Sequence, residues 1–386
     1  MSNRIYLDYN ATTPMSPEVL DFYKDQLSLY ANASSLHEDG RRAKKEIEIA
    51  RKNVADLVNV LAEEIIFTSG GSESNNTVFN TMINLGKKLG KNLIVTTEIE
   101  HPCVLEASKR LADFGMEVVY LPVDEYGLVK EDEYKAALER NPLLVSVMTA
   151  NNEIGTVQDI KKLAQLAHEK GALFHTDAVQ AAGKIPVDLK DWGVDYATFS
   201  GHKIYGPKGV GALFVKTGCK IEPLIRGGHQ EKGYRAGTYN APSIAAYGKA
   251  AELAKADIEH YTTHTKALRE KLKNGLLEKI PNIKINGHPE KVLPNTLDVS
   301  FPGAEGEAIL LHLDLLGVDV STGSACASGS LEPSHVLMAT GLGPELAHGS
   351  IRFSFGKYNT ESDVDYILEK FPPVIDKLRK MSTLSM

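Results

Sequence analysis

Several apolar runs in this chain end on residues able to do chemistry, and in an open parallel sheet ligands bind just beyond the carboxyl ends of the strands. After "IIFT" comes "SGGSESNN", a glycine turn opening a helix with Ser72 at the turn, where backbone amides can receive a phosphate. After "LIVTTEIE" come His101 and Pro102; after "LVSVMTA" come Asn151, Asn152 and Glu153. After "ALFHT" comes Asp177, with Gln180 three residues on, where an early helical turn would bring both to one face. After "YATF" come Ser200, Gly201, His202 and Lys203. Each alone has an ordinary explanation, such as a capping aspartate or a surface lysine in a turn. Together they place an imidazole, an acid, amides, hydroxyls and a lysine at one predicted sheet edge. Pyridoxal phosphate needs that set: a lysine for a Schiff base, a carboxylate to keep the pyridine nitrogen protonated, and donors for a phosphate. Lys203, Asp177 and the Ser72/Ser200/His202 group supply them. "GPKGVG" lacks the P-loop spacing, and no GxGxxG or HExxH occurs.

A second candidate is Cys326, in the small-residue stretch "STGSACASGSLEPSH" (321–335). A free thiol titrates near 8.5, so only about a few per cent is thiolate at neutral pH without help. A segment of Gly, Ala and Ser has little apolar surface to anchor it, which suits a thiol that must travel. The other cysteines, Cys103 and Cys219, are distant from it and from each other; they form no CxxC metal site or disulfide framework and read as inert thiols.

The elements that must position these groups are legible as alternating patterns. Strands are expected at 64–69, 92–98, 116–123, 143–150, 172–178, 196–200 and 209–215, with helical stretches such as "HPCVLEASKRLADFG" and "DIKKLAQLAHEKG" between several of them. Near-continuous apolar strands separated by helices imply an α/β fold with a mostly parallel sheet covered on both faces. Residues 17–60 read as helical, and 243–280 as one long polar helix linking a large domain to a smaller α+β one. The expected divisions are an N-terminal arm (1–15), a large domain (16–258) and a small C-terminal domain (259–386) carrying Cys326.

Composition narrows the class. With 386 residues, 42% hydrophobic, the chain can bury a sizeable core. A net charge of -7 and the absence of a basic block argue against nucleic acid as a partner. No apolar run approaches the roughly 20 residues of a membrane helix, and the N-terminus has no apolar leader pattern, so a cytoplasmic protein is expected.

Nearly end to end, the chain resembles the NifS/IscS cysteine desulfurases of the class V aminotransferase family, in particular the long-loop group. The resemblance rests on "YLDYNATTP", "SGGSESNN", "EHPCVL", "ANNEIGTVQDI", "FHTDAVQAAGKIPVD", "SGHKIYGPKGVGAL", "RGGHQEKGYRAGT", "STGSACASGSLEPSHVLMATGL" and "GSIRFSFGKYNTESDVD". It implies a fold-type I pyridoxal-phosphate transferase with a seven-stranded sheet, and removal of sulfur from L-cysteine to give L-alanine and an enzyme-bound persulfide. It further implies that Lys203 carries the cofactor, Asp177 faces the pyridine nitrogen, Gln180 contacts the ring hydroxyl, and His101 stacks on the ring and shuttles protons. Gly71, Ser72, Ser200 and His202 correspond to phosphate contacts, and Thr238 to one offered by the neighbouring subunit of a homodimer. Asn152, also counted with the cofactor contacts, and Arg352 correspond to holders of the substrate carboxylate. Cys326 corresponds to the nucleophile, which passes sulfur to an acceptor such as an iron–sulfur scaffold. No resident metal is implied, Cys326 being a candidate transient iron–sulfur ligand.

The sequence departs from the family's usual pattern at Ser72, where threonine is commoner, at Ala31 and at Tyr239; none of these removes a group the chemistry requires. Two alternatives stand beside this reading. One is another reaction on the same scaffold, such as a selenocysteine lyase, an aminotransferase or an epimerase, of which the last two need no mobile thiol. The other is a non-catalytic sulfur-assembly scaffold.

Overall fold

A computed structural model describes residues 4–322 and 333–381, so Cys326 lies outside the described residues. The chain begins with a two-residue strand, β1 (Ile5–Tyr6), and then forms α1 (Pro17–Gln26) and α2 (Glu38–Leu57). Ser16 caps α1 by accepting from Val19 N, with Pro17 at the first helical position. The helix expected across 17–60 is therefore two helices. Between them Ser28 Oγ donates to the Asp25 carbonyl and Asn32 Oδ1 accepts from Ser34 N, local bonds that compete with helix continuation. In α2 the residues Ala43, Ile47, Ala50, Val54 and Leu57 form one buried stripe at helical spacing.

The large layer follows: β2 (Ile65–Thr68), α3 (Gly71–Leu89), β3 (Leu93–Thr97), α4 (Pro102–Arg110), β4 (Glu117–Leu121), α5 (Glu131–Leu138), β5 (Leu144–Ser146), α6 (Ile160–Glu169), β6 (Leu173–Asp177), α7 (Leu189–Trp192), β7 (Tyr196–Ser200) and β8 (Gly211–Val215). All seven expected strands are present: β7 at its expected bounds, β8 shortened at its start and the other five trimmed at both ends. They form one sheet in the order β2-β8-β7-β6-β5-β3-β4. β8 runs antiparallel to both neighbours, and the remaining neighbours run parallel. Residues of β2, β3, β5 and β7 are buried throughout, as strands covered on both faces must be, whereas edge strand β4 is half open. The direction of travel reverses at β3, which has β4 on one side and β5 on the other, so the loops after β3, β5, β6 and β7 open onto one crevice.

The 39-residue helix α8 (Ala241–Lys279) joins this layer to a second core. Its first half packs Ile244, Tyr247 and Ala251 with the large sheet, and its second half packs Leu268, Leu272 and Leu276 with the C-terminal elements. Those elements are β9 (Lys284–Asn286), β10 (Thr296–Ser300), α9 (Gly306–Leu315), β11 (Val318–Asp319), α10 (His335–Ala339), α11 (Pro344–His348), β12 (Ser350–Ser354) and α12 (Glu361–Met381). β9 has no counterpart in the sequence reading: three half-exposed residues carry no period, and pairing with β10 makes them a strand. The N-terminal segment returns to this second core, since β1 pairs with β11 and Leu7 is fully buried within it.

Helices α2 and α8 cross closely at Gly248, where a Cβ would sit 2.3 Å from Ala50 Cα, backbone that cannot move aside. Replacing Gly248 by valine is expected to lower stability by about 1–3 kcal/mol through overpacking, read as a fall in melting temperature; an unchanged melt would show that the crossing relaxes freely.

Candidate active site

The crevice is floored by a segment that belongs to neither strand end. Asn10, 1% exposed, accepts at its carbonyl from Lys203 Nζ (2.6 Å) and Gln180 Nε2 (3.0 Å). Its side-chain amide donates to Thr296 Oγ1 (2.8 Å) and the Asn152 carbonyl (3.1 Å). Lys203 closes a 3-10 turn, Gly201–Lys203, directly after β7, and also donates to the Ala11 carbonyl at 2.7 Å. His202 Nδ1 lies 3.0 Å from Thr12 Oγ1, and Thr13 Oγ1 donates to the His202 carbonyl. Burial, reinforced by the Lys203 charge, pushes His202 down to about 4, so its imidazole is neutral near pH 7.

Asp177 ends β6 with both carboxylate oxygens engaged: Asn75 Nδ2 donates to one at 2.7 Å and Val179 N to the other at 3.0 Å. Asn75 sits on the sheet-facing stripe of α3 with Val78, Phe79 and Met82, all fully or nearly fully buried. Its amide also donates to Cys103 Sγ, which lies 3.0 Å from His101 Nδ1. Cys103 is thus part of this cluster and not a remote thiol. It is inert as a nucleophile because burial pushes it up to about 12. His101 caps α4 by accepting from Cys103 N at Nδ1, which leaves Nε2 as the ring atom for exchange. Burial lowers its pKa, against an opposing pull from Asp177, so it too is neutral near pH 7.

Next to these groups is a cavity of about 450 Å³ lined by Gly70, Gly71, Ser72, Ser200, His202 and Lys208, among others. Helix α3 begins here with Gly70 as its cap and no side-chain acceptor on its first amides. Uncapped amides, the positive end of a 19-residue helix and two hydroxyls make an anion cradle. Close approach is possible because a Cβ on Gly211 would meet Gly70 Cα at 2.6 Å. A phosphate cradle at the start of α3, a doubly hydrogen-bonded carboxylate at the end of β6 and a lysine amine just after β7, all at one edge of the sheet, fit pyridoxal phosphate.

The remaining expected residues divide. Arg352 on β12 is 2% exposed; it donates to the Asn152 carbonyl (3.0 Å) and to Asp8 Oδ1 (2.8 Å), so its neighbour is the backbone of Asn152 and a carboxylate of the chain itself. Gln180 does not share a helical face with Asp177, because residues 178–184 form successive turns and its amide faces Asn10 and Lys184. Thr238 is exposed, and the cavity lining does not include it. Among the described residues no cluster of three or more His, Cys, Asp or Glu could hold a metal ion. Sequence reasoning missed Asn10, Asp8 and Asn75. For Asn75 a signal existed, an amide on an otherwise apolar helical stripe; Asn10 and Asp8 lie at no strand end of the large sheet, and their only signal was their place in "YLDYNATTP".

Three buried carboxyls border the site. Glu100 precedes His101 and is pushed up to about 8 by burial, although Thr97 Oγ1 and Met148 N donate to Oε1. Asp298 is pushed up to about 7 for the same reason, offset in part by Asn286. Glu153, also raised to about 8 by burial, accepts from Ser334, the cap of α10. An unfolded glutamate titrates near 4.5, so the native state holds this proton over the interval up to about 8 and stability falls as pH rises through it. The E153Q variant carries no such proton. It is expected to melt at or above the parent at pH 8, with the two converging near pH 4; a variant that loses stability equally at both pH values would show that Glu153 is ionised in the fold.

The comparisons with known proteins agree with this geometry. The Aminotransferase class-V model matches residues 5–367. A protein named cysteine desulfurase IscS from Clostridium botulinum (strain Hall) is 47% identical over 100% of this chain and 97% of its own length. One of the same name from Methanosarcina thermophila is 47% identical over 99% and 94%. A solved structure titled NifS-like protein superposes with a TM-score of 0.91 at 40% identity, covering 97% of this chain and all of its own. The chain belongs to the class-V aminotransferase family of pyridoxal-phosphate enzymes.

Proposed function

We propose that the chain is a cysteine desulfurase, taking sulfur from L-cysteine and leaving L-alanine and a persulfide on Cys326. The observation that carries this reading is that the doubly held Asp177 carboxylate, the Lys203 amine and the uncapped start of α3 lie at or just past the ends of strands β6, β7 and β2 at one edge of the same sheet, with the cavity at the start of α3 reaching His202, the neighbour of Lys203. Relatives of that name, alike over the whole chain, support it. When bound, the cofactor supplies an electron sink that acidifies the amino acid's Cα–H and then loosens its Cβ–S bond.

The chain's own residues divide the remaining work. Gly71, Ser72, Ser200 and His202 hold the phosphate, with Thr238 contributed by a second copy in a homodimer. Asp177 keeps the ring nitrogen protonated, its two hydrogen bonds fixing its plane. Lys203 Nζ, held by two carbonyls, is the base that takes the Cα proton. His101 exchanges protons through Nε2 and relieves Cys326 of its proton, making the thiolate that attacks the substrate sulfur. Arg352 and Asn152 hold the substrate carboxylate. Arg352 retains donor capacity for it, because its Nε has no acceptor among the described residues. The persulfide then passes to an acceptor, and an iron–sulfur scaffold in the cytoplasm is the one we assign. No helix among the described residues is long and apolar enough to cross a membrane.

Incubation with L-cysteine should release alanine and place a persulfide on the peptide containing Cys326. The C326A variant should keep cofactor absorbance and lose sulfide release, and retained turnover would refute the assignment. Borohydride should fix the cofactor on Lys203; no label would favour a non-catalytic scaffold, and faster alanine release from selenocysteine would favour a lyase. In the R352K variant a single ammonium replaces the planar guanidinium, so KM for cysteine should rise about 10–100-fold with cofactor absorbance unchanged. An unaltered KM would exclude Arg352 from substrate binding.

A further inference from the structure

Lys184 is a buried amine that the proposed chemistry does not use. It is 2% exposed, in the turns after β6, and is tied to α8 through its carbonyl, which accepts from Thr262 Oγ1 at 3.0 Å. Its Nζ donates to Gln180 Oε1 at 2.6 Å and to Asn10 Oδ1 at 2.9 Å. Both acceptors are neutral amide oxygens. The charged groups that act on it are Lys203 and Arg352, both cations, so burial first and repulsion second hold its pKa well below the ordinary lysine value. Charged or neutral, the amine presents N–H donors to the two oxygens it meets.

This matters for Gln180 because a glutamine amide has two faces that fit almost equally well when rotated by half a turn. With Oε1 fixed against Lys184, Nε2 must point the other way, where it donates to the Asn10 carbonyl that also receives Lys203 Nζ. Asn10 is oriented by the same amine. Its Oδ1 accepts from Lys184 and from Asn295 Nδ2 (3.1 Å), which leaves its Nδ2 for Thr296 and Asn152.

We propose that Lys184 is a positioning residue: by donating to Oε1 it locks the Gln180 amide with its N–H side toward Lys203, so that Gln180 presents a donor to the ring oxygen of the bound cofactor. The inference rests on the cofactor reading above and extends it to a residue outside the contacts assigned there.

The test uses the cofactor-loaded protein and two readouts other than turnover, the pH midpoint of the visible absorbance band and the rate of cofactor release. A donor on the ring oxygen favours the proton-poor form of the cofactor–lysine adduct, so losing it raises the midpoint. The K184M variant is expected to raise it by about 0.5–1 pH unit, the worth of about one hydrogen bond, and to speed release about 3–10-fold. Q180A should shift both in the same direction, and the double variant no further than Q180A alone, because the two act as one unit. K184Q, whose amide can still donate to Oε1, should lie between parent and K184M, and it carries the comparison with Q180A if K184M does not fold. A parent-like midpoint and release rate in K184M, a K184Q no closer to the parent than K184M, or additive shifts in the double variant would overturn the proposal while the cofactor reading stands. Absence of borohydride labelling at Lys203 in the parent would overturn both.

Discussion

The arrangement depends on one buried asparagine and the segment that carries it. Asn10 follows β1 into the crevice and touches Lys203, Gln180, Lys184 and Asn152 in the turns after strands of the large sheet, and Asn295, Thr296 and Ser354 at the small one. Its backbone N–H, its carbonyl and both side-chain atoms have partners. A buried polar network that is fully satisfied specifies one geometry, whereas each group left unpaired costs about 1–3 kcal/mol. The two cores are therefore held in register by directional bonds at the site itself, in addition to the apolar packing along α8.

The electrostatics follow from the same burial. Lys203, Lys184 and Arg352 form a group of basic side chains, and the buried acids around them divide into two kinds. Asp177 has a hydrogen-bond donor on each oxygen, and Asp8 has Arg352. Glu100, Glu153 and Asp298 lack that degree of compensation, and burial keeps their protons on well above the usual carboxylate range. Burial thus removes charge from the supporting shell. The two imidazoles at the crevice, His101 and His202, are held neutral by the same desolvation.

Much of the fold was legible because its strands are short apolar runs with buried faces, and apolar runs survive as sequence patterns. The seven strands of the large sheet and the long helix α8 were read at nearly their observed places. The break between α1 and α2 was missed because side-chain to backbone bonds at Ser28 and Asn32 interrupt a stretch whose composition still reads as helical. Strand β9 was missed because only its pairing partner makes it a strand. The site followed the same division. Residues at strand ends, Asp177, His202, Lys203 and the Ser72 turn, were singled out from type and position along the chain, while the helical face expected for Asp177 and Gln180 gave way to turns.

By itself the sequence determined the α/β layering, the edge on which the chemistry lies, and the residue types available there, because periodicity and strand ends are local properties. Tertiary structure alone decided that Asn10 and Asp8 reach the crevice, that Asn75 joins the backbone N–H of Val179 in holding Asp177, that Cys103 lies against His101, and that Lys184 turns the amide of Gln180. The reason is physical: whether its partners lie 2 or 344 positions apart in the chain, a hydrogen bond is set by distance and angle in space, for which a linear pattern carries no signal.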